Sequence, residues 1–211
     1  MEEEKVRIFA VARHRIGIDG EGVTTLITLS GCPLKCAYCL NKRCMTHNPG
    51  DIILTASNVV DICMKDNLYF IATGGGLTIG GGEPLLHPAF LHQLRQQMPK
   101  DWMLNVETSL NVPSTHLKWV LDDAAKLIID IKDMNPAIYE RYTQCSIHPL
   151  IANLRHIAAH GLQHKCRIRL PLISAYNTAE DRELSKKTLT EMGFNEFDEF
   201  EYINPDTRSP F

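Results

Sequence analysis

Short apolar runs alternate with amphipathic stretches along this chain, and that alternation narrows its fold more than any other feature. Strand-like runs lie at 24–29, 77–79, 103–107, 127–132, 167–173 and 197–203, after a leading apolar run at 6–11. Helical patterns occupy 57–65, 88–97, 113–121, 149–159 and 178–192. Thr55 or Ser57 is placed to cap the first of these, and Gly161 stands just past the fourth. Regular alternation of this kind implies βαβ units and a parallel sheet. Right-handed crossovers leave an open doubly wound sheet or a barrel. A closed eightfold barrel usually takes about 250 residues, and this chain has 211. Six strands suit an incomplete barrel. There is no fixed-period repeat and no linker, so residues 1–211 are expected to form a single domain.

Composition removes several classes. Hydrophobic residues make up 44% of the chain, which excludes a disordered or low-complexity protein. Lys and Arg number 22 against 25 Asp and Glu, for a net charge of −3. That balance carries no footprint for a phosphate backbone, so no nucleic acid is expected as partner. No apolar run approaches the roughly 20 residues of a membrane helix. The start, Met1-Glu2-Glu3-Glu4, lacks the basic and apolar regions of a secretory signal. A cytoplasmic protein without membrane contact is expected.

There are seven cysteines, four of them between Cys32 and Cys44. An odd count in a reducing compartment argues against a disulfide framework. The segment Gly31-Cys32-Pro33-Leu34-Lys35-Cys36-Ala37-Tyr38-Cys39 has the spacing C-x3-C-x2-C directly after a predicted strand. Three thiolates on one tight loop can hold three irons of a cubic 4Fe–4S cluster and leave the fourth iron open. Structural zinc is the competing reading, with Cys44 as fourth ligand; otherwise Cys44 is a bystander. Cys63, Cys145 and Cys166 read as small buried hydrophobes.

A second motif runs Gly74-Gly75-Gly76-Leu77-Thr78-Ile79-Gly80-Gly81-Gly82-Glu83-Pro84. Two glycine triplets exceed ordinary turn-making and let a backbone approach a ligand closely. The segment matches neither a Walker A loop nor a dinucleotide fingerprint. Several predicted strands then end in charged residues that share a face by the period of two: Asn105 with Glu107, Asp130 with Lys132, Arg167 with Arg169. Ligands of parallel α/β proteins bind at the carboxyl ends of strands. Cysteine loop, glycine turn and charged strand ends therefore point to one shared mouth.

The cysteine loop with Tyr38, followed by Gly81-Gly82-Glu83-Pro84, resembles the signature of the radical S-adenosylmethionine enzymes. Asp19-Gly20-Glu21-Gly22, Gly74-Gly75-Gly76-Leu77-Thr78 and Asp130-Ile131-Lys132-Asp133-Met134 extend the resemblance to their glycyl-radical-enzyme activating, pyruvate formate-lyase activating enzyme-like, subfamily, across roughly residues 6–204. The chain departs from that subfamily's pattern at Glu21 (usually proline), at Glu107-Thr108-Ser109-Leu110 (usually Asp-Thr-Asn/Ser-Gly), at Ile173-Ser174-Ala175 (usually Pro-Gly) and at Asn204 (often histidine).

The resemblance implies an incomplete (β/α)6 TIM-like barrel of parallel strands, with the cluster loop at the C-terminal end of the first core strand. It implies that Cys32, Cys36 and Cys39 bind one 4Fe–4S cluster, whose open iron chelates S-adenosylmethionine. The backbone around Gly81 and Gly82, with Glu83 in the same cofactor site, then meets the cofactor's amino group, Lys132 meets its carboxylate, and Asp130 binds its ribose or orients Lys132. Tyr38 and Leu40 lie near its adenine, and Glu107, Arg169 and Asn204 complete the cofactor site. A monovalent cation beside Glu107 and Asp130 is a further expectation. The implied activity is reductive cleavage of S-adenosylmethionine to a 5′-deoxyadenosyl radical. That radical takes a hydrogen atom from a glycine of a glycyl-radical enzyme or, alternatively, from a small molecule or peptide. The implied electron donor is flavodoxin or ferredoxin, and the expected state is a monomer under anaerobic conditions.

Overall fold

The structure, a computed structural model, describes residues 3–46 and 48–202. Its strands are β1 Val6–Ile16, β2 Val23–Leu29, β3 Ile52–Leu54, β4 Gly76–Gly81, β5 Met103–Thr108, β6 Lys126–Asp130, β7 Cys166–Leu172 and β8 Phe197–Glu201. They form one sheet in the order β3-β1-β2-β4-β5-β6-β7-β8. From β2 through β4 to β8 every pairing is parallel, which is the expected six-stranded incomplete barrel. The cluster loop leaves the C-terminal end of β2, the first of these six.

The apolar run at 6–11 is not one of these six parallel strands, although Val6 and Ile8 are buried in the core. It belongs to β1, which pairs antiparallel with β2 and with β3 and so extends the sheet on one side. Register shifts near Ala10 and Arg15 bend this long hairpin. Its turn reaches back to the barrel, where the Thr78 hydroxyl donates to the Asp19 carbonyl at 2.6 Å. Only glycine fits at position 20, because a Cβ there would fall on the Asn105 side chain.

Helices α1 Ala56–Cys63, α2 Asn67–Thr73, α3 Pro88–Gln97, α4 Ser114–Leu121, α5 Pro136–Thr143, α6 His148–Ala159 and α7 Ala179–Glu191 connect the strands. Thr55 caps α1 in a capping box with Asn58, and Thr178 caps α7 with Asp181. Gly161, just past α6, has φ +68°. The strands obey the period of two. Leu127 and Ile129 of β6, with Ile79, Val106 and Ile168 on neighbouring strands, are fully buried in the apolar core shared with Phe90, Leu94, Leu117 and Leu154 of the helices. Each such side chain stabilises the fold by about 1.5–3 kcal/mol. The alternate residues, Glu107, Asp130, Arg167 and Arg169, turn the other way and line a cavity.

Candidate active site

The cysteine loop is held from two sides. On one, Glu83 N–H donates to the Gly31 carbonyl and Gly82 N–H to the Leu29 carbonyl, both at 2.8 Å, while Gly31 N–H donates to the Cys44 carbonyl at 2.8 Å. On the other, Lys35 and Ala37 donate to the carbonyls of Thr143 and Tyr142 at 2.9 and 3.0 Å. The loop is thus clamped between the turn after β4 and the last residues of α5. The glycine turn owes part of its composition to this clamp. A Cβ at Gly82 would fall on the Gly31 carbonyl oxygen, one at Gly80 would meet Glu107, and Gly81 has φ +93°.

Cys32, Cys36 and Cys39 all line one cavity of about 930 Å³ at the mouth of the barrel. Burial pushes the Cys32 thiol up to about 12 and the Cys36 thiol up to about 11. Cys39 is drawn down to about 6, chiefly by a hydrogen bond from Cys44. Cys44 is 3% exposed and lies within hydrogen-bond reach of Cys39. Cys63 and Cys166 are buried as expected, at 1% exposure each. Cys145 is only half-buried, and its thiol donates to the Pro33 carbonyl at 3.1 Å, beneath the cluster loop.

The Lys132 ammonium stands 3.7 Å from Asp130. Burial pulls its pKa down, but Asp130, Cys36, Tyr202 and Cys39 outweigh that and hold it above its ordinary value. Three soft sulfur donors on one wall, with a buried cation beside two of them, fit an iron–sulfur cluster with three protein ligands.

Glu83 is 1% exposed and accepts four hydrogen bonds: from Leu85 N–H at 3.1 Å, the Thr108 hydroxyl at 2.6 Å, Ser109 N–H at 2.8 Å and the Ser109 hydroxyl at 2.6 Å. Burial raises its pKa against those bonds. Its carboxylate braces the turn after β4 against the turn after β5. Glu107 accepts from Arg169 at 2.7 Å, and burial, which outweighs that cation, raises it to about 7. The Arg169 guanidinium thus places a positive charge of the chain itself beside Glu107. Arg169 also donates to the Ile18 carbonyl at 2.8 Å and lies 3.7 Å from Asp19, which Arg15 binds in turn. Arg167 pairs with Glu21 at 3.0 Å and with Glu196 at 2.6 Å.

Leu40, Gly81, Gly82, Glu83, Glu107, Asp130, Lys132 and Arg169 thus share the cavity with the cysteine trio. Tyr38 does not line it. Its ring stands edge-on to Tyr176 and Tyr142, with centroids 5.5 and 6.2 Å away, and the Tyr202 hydroxyl donates to its carbonyl. Asn204 lies outside the described residues. The sequence reading missed Arg15, Thr108, Ser109, Tyr142 and Tyr202 as cavity residues. The strand-end parity that marked Glu107 passes over Thr108, and the tyrosines carry no local signal.

The sequence pattern of one family, described as a 4Fe-4S single cluster domain, matches residues 18–130, more than half of the chain. The chain belongs to that family. The match decides between iron–sulfur and zinc for the cysteine loop. Relatives include the (2S)-3-sulfopropanediol dehydratase activating enzyme of Klebsiella oxytoca, 29% identical over 81% of this chain and 72% of that protein. The pyruvate formate-lyase 2-activating enzyme of Escherichia coli is 23% identical over 85% of this chain and 70% of its own length. Within its family the chain is an activase-like radical S-adenosylmethionine enzyme. The fold is similar to that of Streptococcus suis SuiB in its S-adenosylmethionine-bound crystal structure, with a TM-score of 0.63 and 12% identity. That alignment covers 82% of this chain but only 38% of SuiB.

Proposed function

We propose that this protein activates a glycyl-radical enzyme by removing a hydrogen atom from the Cα of a glycine in an exposed loop of that partner. The bound cluster and S-adenosylmethionine supply one-electron chemistry, the reductive cleavage that makes a 5′-deoxyadenosyl radical. Everything else falls to the chain. Cys32, Cys36 and Cys39 hold three irons. The backbone at Gly81 and Gly82, stiffened by Glu83, offers an edge to the cofactor's amino group. Lys132 meets its carboxylate, and Asp130 orients Lys132 or meets the ribose. Leu40, on the cavity wall, packs near the adenine.

The observation that carries the substrate class is the pairing of the three arginines that line the cavity. Arg15 is bound to Asp19, Arg167 to Glu21 and Glu196, and Arg169 to Glu107. A wall of arginines already paired with the chain's own carboxyl groups suits an uncharged stretch of polypeptide better than a charged small metabolite. The names of the activating-enzyme relatives point the same way. A second reading, a radical enzyme acting on a small molecule or short peptide, is favoured by Glu107 and by Ile173-Ser174-Ala175, which stand where the subfamily usually has aspartate and Pro-Gly. A flavodoxin or ferredoxin is the proposed donor, since sulfonium cleavage needs the low-potential end of the cluster range.

The test is anaerobic. Reconstituted protein, S-adenosylmethionine, dithionite and a glycyl-radical enzyme encoded nearby should give a protein-centred glycyl doublet in the EPR spectrum. 5′-Deoxyadenosine without a doublet on any such partner supports the second reading.

A further inference from the structure

Leu110 is fully buried, yet its backbone lies in the left-handed region at φ +54°. A branched aliphatic residue rarely adopts that conformation, and it persists only where the surroundings over-determine it. Leu110 N–H donates to the Thr108 hydroxyl at 2.9 Å and its side chain packs in the core, and one further side chain holds two carbonyls of this turn. Asn153, on α6 and 0% exposed, donates its amide hydrogens to the carbonyls of Leu110 and Val112, both at 2.8 Å. Its own Oδ1 has no hydrogen-bond partner among the described residues. Neither feature helps stability. A buried acceptor without a donor is unfavourable, and so is a left-handed leucine. The two Asn153 donors hold the turn that follows β5, and Thr108, the last residue of β5, and Ser109, the first after it, give Glu83 three of its four hydrogen bonds. Glu83 N–H in turn bonds the cluster loop at Gly31.

We propose that Asn153 is a positioning residue for the Gly81–Glu83 turn, acting through the carbonyls of Leu110 and Val112 and the Thr108 and Ser109 contacts to Glu83. That the turn is the edge offered to S-adenosylmethionine rests on the function proposed above; the mechanical coupling does not. Removing the clamp lets the turn after β5 relax toward ordinary backbone angles. Thr108 and Ser109 then withdraw from Glu83, and the bonds from Gly82 and Glu83 to β2 and the cluster loop open more often.

Hydrogen exchange on the full chain reads this coupling without any cofactor. Asn153→Leu keeps the branched shape and the number of side-chain heavy atoms and removes both donors. The expected result is faster exchange at Gly82 and Glu83 relative to Ile131, whose N–H donates to the Arg169 carbonyl at 3.0 Å. Leu110→Gly added to this variant restores slow exchange at Gly82 and Glu83, because glycine holds the left-handed turn unaided. The same double variant unfolds at lower temperature than Asn153→Leu, since a buried leucine is lost; a residue that mattered only for stability would not show that divergence. Unchanged exchange at Gly82 and Glu83 in Asn153→Leu, or no recovery in the double variant, overturns the proposal. If Asn153→Leu does not fold, Asn153→Ser, with a single donor, is read by the same criteria. In reconstituted protein Asn153→Leu should weaken S-adenosylmethionine binding by about tenfold. Altered exchange with unaltered affinity would leave the coupling standing and overturn the cofactor reading of the turn.

Discussion

Arg169 on β7 reaches past β6 to donate to Glu107 on β5 at 2.7 Å, so one ion pair spans three adjacent strands inside the barrel. The same guanidinium bonds the Ile18 carbonyl and thereby fastens the β1–β2 turn to the barrel. It is a structural tie and a neutralising charge at once.

That pair sets a pH dependence. Burial holds Glu107 up at about 7 in spite of Arg169, whereas the unfolded chain releases this proton near the usual glutamate value of about 4.3. The folded state therefore binds the proton more tightly, and stability falls as pH rises from about 4.3 to about 7, by at most about 1.4 kcal/mol per unit, then levels off. Thermal unfolding across pH 4.5–8 should show this loss, and Glu107→Gln should flatten it. An equally steep loss in Glu107→Gln contradicts the assignment.

Asp66 behaves oppositely. It is fully buried and binds Arg13 through both oxygens, with Thr25 at 2.8 Å. Arg13 lowers its pKa, against a smaller effect of burial. Its contribution is present above the unfolded aspartate value of about 3.9 and is lost as pH falls through the lowered folded value. Asp66→Asn should cost about 2 kcal/mol at pH 7 in denaturant unfolding and much less at pH 2. Equal cost at both pH values would show that the carboxylate charge is not the source.

Glu83→Gln tests the brace. The amide cannot accept from all four donors and turns an NH2 toward Ser109 or Thr108. S-adenosylmethionine cleavage should fall at least about tenfold with iron content retained. Wild-type turnover in this variant would remove Glu83 from the site.

The ligand choice is checked by iron and sulfide counting after anaerobic reconstitution. Cys36→Ala should lose the cluster. Cys63→Ala, altered at a core position with 1% exposure, should keep it, and so should Cys44→Ala. Loss of iron in all three would mean that the trio is misassigned.

Much of this was legible in the residues. The period of two marked Glu107, Asp130 and Arg169 as facing one way, and they do share the cavity. Thr55, one of the two candidate caps for α1, does cap it. Helix α2 escaped notice because Leu68, Tyr69 and Ile71 are exposed while Phe70 is buried, so its apolar residues mark no inward stripe. Helix α5 has only 8 residues, and its Asn135–Pro136 start also reads as a turn. Strand β3, at 3 residues, is too short to show a period. The site's tyrosines and Asn153 were hidden for a different reason. Their roles come from contacts between residues far apart in sequence, such as Tyr202 with Tyr38 and Asn153 with Leu110.

The most direct measurement is the yield of 5′-deoxyadenosine from S-adenosylmethionine and dithionite under strict anaerobiosis, by the reconstituted wild-type chain beside Cys36→Ala. Three thiolates holding a cluster with one open iron predict 5′-deoxyadenosine and methionine in equal amounts from the wild type and none from the variant. A wild-type protein that binds four irons and sulfides yet releases no 5′-deoxyadenosine would contradict it.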